Sequence, residues 1–227
     1  MKFESQVYTA ASGSVGGLVY SHNRFGMYTR GRATPTNPNS IAQQAIRGAM
    51  GLAHNGWKAL TQVQRDGWKF YADCTPILDA LGKVVYLTGL SMYLRQFMLR
   101  HRAGDAPVSA APVSTGLTEL TAPVATVTAP LDLGLAFTNT DEWANAVGGH
   151  LYVFSSQPQA PTKNFFRGPY RLAGVVDGAV VPPVSPAAFV LPFAVAATQR
   201  VFLRAIACDA EGRLSQEAFF QVDAVAP

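Results

Sequence analysis

Apolar and polar positions along the chain fall into three successive regimes. Residues 5–34 alternate with the period of two that a strand requires, with Val15, Leu18, Tyr20, Met27 and Tyr28 flanking Asn23-Arg24-Phe25-Gly26. That polar-plus-glycine tetrad predicts a hairpin turn. Five glycines in the first 31 residues would weaken an ordinary strand, and they suit a ribbon that bends sharply or lies close to another backbone.

After Thr36 the period changes to three and four. Asn37 with Pro38, or alternatively Ser40 with Gln43, can cap a helix. Its apolar face holds Ile41, Ala45, Ile46, Ala49, Leu52, Ala53 and Leu60, so the helix runs to about Leu60. Thr61 with Gln64 is a second capping box, opening a helix that carries Arg65, Trp68, Tyr71 and Ala72 and closes near Pro76. Lys83–Leu87 reads as a short strand. Ser91–Arg102 reads as a third helix with Tyr93, Leu94, Phe97 and Met98 on its apolar face. Arg100, His101 and Arg102 in its last turn suit the negative end of the helix dipole, and Gly104 ends it. Trp57, Leu60, Trp68, Tyr71 and Phe97 are the expected core of this helical unit.

The third regime begins at Asp105. Residues 105–123 are rich in Ala, Pro, Ser, Thr and Val and read as a linker. Beyond it seven apolar, β-prone segments alternate with turns: Val124–Thr128, Leu133–Thr138, Leu151–Ser155, Tyr170–Val176, Ala187–Phe193, Val201–Ala207 and Phe219–Val225. This spacing predicts an antiparallel β-sandwich. The fold class expected is therefore α+β. It comprises an extended β-ribbon arm over 1–36, a helical unit over 37–104, a linker over 105–123 and a β-sandwich over 124–227.

Charge sharpens this division. Residues 1–104 hold twelve Lys/Arg against four Asp/Glu, whereas residues 105–227 hold six against ten. Opposite signs suggest two parts with different neighbours, or copies that stack basic half against acidic half. Only 14% of the residues are charged, as suits a surface much of which meets a partner. Cys74 and Cys208 are too few for a disulfide framework, lack zinc spacing, and read as small buried apolar residues. Met1–Ser14 has no apolar segment of the signal-peptide kind. The longest apolar run, Ala187–Ala197, contains Pro192 and is shorter than the ~20 residues that span a bilayer.

Catalytic chemistry is hard to assemble. Gly13-Ser14-Val15-Gly16-Gly17 lacks the Lys-Ser/Thr ending and the helix of a phosphate loop. His22, His54, His101 and His150 are dispersed, without metal spacing, and read as surface or cap residues. Asp141-Glu142 beside Trp143 reads as a solvated turn. No enzyme activity, metal or cofactor is expected. The partner-binding candidates are Arg24, Tyr28, Arg30 and Arg32. Arg30 and Arg32 project to one face of an extended strand, with Arg24 on the same parity if the register holds through Gly26. Guanidinium forks on a ribbon clamp carboxylates of a neighbouring subunit or phosphates of nucleic acid. Alternatively they are charges that keep an edge strand from aggregating.

Three resemblances extend this reading. Val201-Phe202-Leu203-Arg204-Ala205-Ile206-Ala207-Cys208-Asp209-Ala210-Glu211-Gly212-Arg213-Leu214-Ser215 resembles the penultimate strand, Asp-x-x-Gly turn and final-strand entry of a fibronectin type III domain. Val201 stands where that family usually has a tyrosine. The resemblance implies a fibronectin III/Ig-like sandwich used for adhesion, spacing or display. Residues 12–100 look like a group of phage and prophage-encoded virion proteins. The shared residues are Gly16, Gly17, Asn23-Arg24, Gly26, Tyr28, Arg30, Pro35-x-Asn37-Pro38, Gln44 and Arg47, then Trp57-x-x-Leu60-Thr61-x-x-Gln64-Arg65-x-x-Trp68-x-x-Tyr71-Ala72. Trp57–Ala72 alone is also similar to the junction of the second and third helices of an HMG box, a DNA-bending family. The first HMG helix is missing here, and the glycine-rich ribbon occupies its place.

The expectation is a structural virion protein of a tailed phage, a capsid decoration or head/tail accessory protein. It would be made in the host cytoplasm without a signal peptide and carried in the virion. Its partners would be the major capsid or tail protein and copies of itself, with no membrane. A nucleic-acid-binding protein using the basic half is the alternative, and the absence of a secretion signal disfavours a cell-surface adhesion module.

Overall fold

The computed structural model describes residues 11–24, 26–34, 36–78, 83–117, 120–121 and 123–226. Phe25, Pro35 and the 5–10 part of the expected ribbon lie outside the described residues. The chain divides into two compact units, Met1–Gly48 with Ile77–Val85 and Ala49–Pro76 with Tyr86–Pro227.

In the first unit, β1 (Gly13–Val15), β2 (Leu18–Asn23) and β3 (Gly26–Gly31) form an antiparallel sheet in that order. Gly16-Gly17 makes the first turn, and Asn23 pairs with Gly26 across the second, where the hairpin was expected. β4 (Ile77–Leu78) and β5 (Val84–Val85) form a two-stranded antiparallel sheet, so the strand expected over Lys83–Leu87 is confined to two residues. Helix α1 (Ile41–Ala59) starts three residues after Pro38; its residues up to Gly48 belong to this unit and those from Ala49 to the second. Ser40 Oγ accepts from the Gln43 N–H at 3.4 Å, whereas Asn37 Oδ1 accepts from Arg47 Nη2 at 2.7 Å. Asn37 is thus engaged by a side chain of the helix and does not cap it. The apolar stripe of α1 is buried only at Ala49 and Ala53; Ile41, Ile46 and Leu52 are exposed.

In the second unit, α2 (Gln62–Cys74) begins at the expected capping box. Thr61 Oγ1 accepts from the Gln64 N–H at 3.3 Å, and Gln64 Oε1 accepts from the Thr61 N–H at 2.9 Å. Thr61→Ala should therefore cost about 1 kcal/mol in chemical denaturation, and Thr61→Ser should restore most of it. Helix α3 (Gly89–Ala103) starts against α2, so closely that a Cβ on Gly89 would sit 2.7 Å from the Lys69 nitrogen. It ends at Gly104, which adopts φ 87° while the Asp105 N–H donates to Arg100 O at 3.0 Å. Leu60, Trp68, Tyr71, Tyr93 and Phe97 share one buried cluster, with Trp57 packed against it. Trp68 meets Tyr71 and Tyr93 edge-on, with ring centroids 5.8 and 5.7 Å apart.

All seven expected sandwich strands form: β6 (Val124–Thr128), β7 (Asp132–Ala136), β8 (His150–Ser155), β9 (Arg171–Asp177), β10 (Ala187–Val190), β11 (Arg200–Cys208) and β12 (Ala218–Asp223). They make two antiparallel sheets of order β10-β7-β6 and β12-β11-β8-β9. This is an antiparallel β-sandwich, and the protein is α+β. Leu133, Leu135, Leu151, Val153, Leu203 and Ala205 fill the space between the sheets. On the outer side of β8 and β11, Tyr152, Phe154, Ile206 and Cys208 pack with Leu99 of α3. Strand β8 is consequently buried on both faces along its whole length. Gly212 closes the Asp-x-x-Gly turn through its N–H to Asp209 O at 3.1 Å, while Asp209 Oδ1 accepts from the Arg213 N–H at 2.7 Å.

Residues 105–123, expected as a linker, are instead bound to the second unit at several described points, while Val113 stands exposed. Ser109 O accepts from Trp68 Nε1 at 3.0 Å, Val108 O accepts from Gln96 Nε2 at 3.3 Å, and Leu117 enters the sandwich core. An Ala/Pro-rich composition looks like a tether, but its backbone carbonyls serve as hydrogen-bond acceptors and its apolar side chains as packing. α2, α3 and the sandwich thus belong to a single compact unit.

Candidate functional site

The N-terminal sheet is a surface element. None of its described residues is buried. Direct pairing of Val19 with Arg30 and Ser21 with Tyr28 puts these four on one face, together with Ser14. The opposite face carries Val15, Leu18, Tyr20 and Met27. Val15 is 70% exposed. The sheet is therefore two-sided, apolar on one face and basic with an aromatic on the other.

Tyr28 and Arg30 lie two residues apart on β3, and Arg32 continues the ladder by donating its N–H to Gly17 O at 2.8 Å. Arg24 is not on their strand parity: the chain reverses between Asn23 and Gly26, and Arg24 occupies the turn. Arg24, Arg30 and Arg32 are exposed and take no ion-pair partner among the described residues. Residues 11–48 contain these three and Arg47, and no Asp or Glu. The structure thus brings Tyr28, Arg30 and Arg32 together on one strand line with no counter-charge among the described residues. Trp57, Leu60, Trp68, Tyr71 and Phe97 belong instead to the helical core already described.

The acidic excess of residues 105–227 is largely consumed inside the second unit. Asp223 accepts from Arg200 at 2.6 and 2.9 Å, which holds its carboxyl below the usual carboxylate range. Arg213 bridges Asp209 and Glu142, each at 2.5 Å. The expected turn forms with Glu142 exposed and joined to this clasp, whereas Asp141 is buried, 9% exposed, and accepts from Thr121 Oγ1 at 2.9 Å.

A buried polar network, invisible in the spacing, joins α3 to the sandwich. Arg100 donates to Ala106 O at 3.1 Å, to Gly148 O at 3.2 Å and to Asp209 O at 3.1 Å, and pairs with Asp105 at 3.2 Å. Asp105 also meets His150 Nε2, whose Nδ1 lies 2.9 Å from Asp177. His150 is buried, not a surface or cap residue, because both ring nitrogens find carboxylates. The one available signal was a histidine opening the otherwise apolar run Leu151–Phe154. With its polar atoms committed to structural contacts, the network works as a staple.

Of the two cysteines, Cys208 is buried as expected and its thiol is pushed up to about 12 by that burial, whereas Cys74 is exposed. Burial likewise raises the Tyr152 phenol. Among the described residues no three His, Cys, Asp or Glu side chains are grouped to hold a metal ion, and no helix is long and apolar enough to cross a membrane.

No family model and no curated protein matches the chain. Among solved structures, the solution structure of the fibronectin type-III domain of human fibronectin type III domain containing protein 3 is similar, with 11% identity and a TM-score of 0.33. That similarity covers 52% of this chain and 94% of the human one.

Proposed function

We propose that the protein is a structural assembly component, a virion protein of a tailed phage acting as a capsid decoration or head/tail accessory protein. One observation carries the assembly role: a three-stranded sheet without a buried described residue, basic on one face, in a segment without a carboxylate. Such a sheet gains its burial and counter-charge from another molecule. The open edges of β1 and β3 offer backbone groups for strand addition, and Arg30 and Arg32 set register against carboxylates of a neighbouring subunit. The resemblance of residues 12–100 to phage-encoded virion proteins supports the virion setting. The fibronectin III-like sandwich serves as spacer or display domain, and repetition around a particle makes a modest interface sufficient.

Replacing Arg30 and Arg32 together by Glu should abolish incorporation into particles while leaving the unfolding transition of the second unit unchanged. Quantitative mass spectrometry of nuclease-treated, gradient-purified particles measures the incorporation. Normal incorporation of the double variant would remove the ribbon from the interface. Absence of the wild-type chain from particles would remove the virion setting.

The carboxylate-free segment also favours a second reading, nucleic-acid binding through phosphates. That reading requires affinity to fall steeply with salt, with a slope reduced by about one for each arginine removed.

A further inference from the structure

Register fixes a row of side chains on the outer face of the four-stranded sheet. Phe219 of β12, Arg204 of β11 and Phe154 of β8 lie directly opposite one another across three strands. The Arg204 guanidinium carbon stands 4.5 Å from the Phe154 ring centroid and 5.7 Å from that of Tyr170. Arg102, in the last turn of α3, brings a second guanidinium to 5.5 Å from the same Phe154 ring. Burial, and secondarily the Arg204 charge, push the Arg102 guanidinium below the usual arginine range.

Countercharge at this spot is thin. Glu217 is shared by Arg204 at 3.5 Å and Arg95 at 3.8 Å, both long contacts. Arg204 Nε is buried without a hydrogen-bond partner, and Arg102 takes no carboxylate among the described residues. Arg102 is exposed and Arg204 half-buried, so the two like charges beside one ring, with so little compensation, favour an incoming anion.

We propose that Arg102 and Arg204, seated on Phe154, form a carboxylate-binding site for an Asp or Glu side chain of an acidic segment in a partner protein. Guanidiniums stacked on an aromatic ring keep their N–H edges free for the paired bonds a planar carboxylate accepts. Phe219, 61% exposed at the end of the row, offers apolar ground to the residues beside that carboxylate. The basic patch is confined, since further along β11 Arg200 is already neutralised by Asp223. A confined patch fits one carboxylate better than a run of phosphates.

The test uses the full chain carrying Arg30→Gln and Arg32→Gln, so that the ribbon does not compete. Binding of a fluorescein-labelled peptide of alternating Glu and Gly is followed by anisotropy. Arg102→Gln is expected to weaken it about tenfold. Arg102→Lys, which keeps the charge but loses the fork, should fall between the two. Lys58→Gln removes an equal charge from an exposed position elsewhere and should leave affinity unchanged. Undetectable binding, equal affinity with and without Arg102, or an equal loss in Lys58→Gln would overturn the site. Tighter, Arg102-dependent binding of a labelled oligothymidylate would overturn its assignment to carboxylates.

Discussion

Arg100→Met is expected to destabilise the second unit by about 3–5 kcal/mol, seen as a lower denaturation midpoint at an unchanged slope. Methionine fills much of the arginine's volume. It still strands the carbonyls of Ala106, Gly148 and Asp209, all of which Arg100 now serves, and leaves Asp105 without its guanidinium. A buried acceptor left unmet costs about 1–3 kcal/mol. Arg100→Lys should recover only a minor part, because an ammonium has no planar fork to span three carbonyls and a carboxylate. Combining Arg100→Met with Asp105→Asn should cost less than the sum of the single losses, as the stranded charge is removed. A loss below about 1 kcal/mol for Arg100→Met would mean that the network contributes little beyond packing.

The second large effect is expected at Trp68. Its side chain is fully buried, meets Tyr71 and Tyr93 edge-on, and donates Nε1–H to Ser109 O. Trp68→Ala should cost about 3–5 kcal/mol. Trp68→Phe should cost less, retaining the ring contacts but losing the hydrogen bond, worth about 1 kcal/mol. Because α3 packs on both the helical cluster and the sandwich, the loss should lower the whole unit's unfolding midpoint in one transition. A sandwich transition that stays in place while the helices melt separately would contradict that coupling.

Local signals were legible where local chemistry decides. Thr61 with Gln64 marked the start of α2, Gly104 marked the end of α3, and each apolar run from Val124 onward became a strand. Ends shifted where a tertiary bond intervened: the expected strand Ala187–Phe193 stops at Val190, because the Leu191 N–H turns to Leu131 O. The stripe of α1 was periodic, yet periodicity says only which residues share a face, not whether anything covers them. Arg100 illustrates the other gap. Its place in the last turn suits the helix dipole, but its side chain reaches Asp209, 109 residues away. The basic line of Tyr28, Arg30 and Arg32 was legible from strand parity, whereas the row joining Arg204 to Arg102 depends on register between strands and on the docking of α3.

The double burial of β8 bears on how such a chain can recombine during evolution. A β-sandwich with its own core between two sheets looks like a portable module, exchangeable at its borders. Here the border suggested by composition, just before Val124, would uncover Tyr152, Phe154, Ile206 and Cys208 by leaving Leu99 behind. A transplanted sandwich would arrive with an adhesive apolar flank. Viable exchange therefore has to carry the third helix along, which makes helix and sandwich a single heritable block.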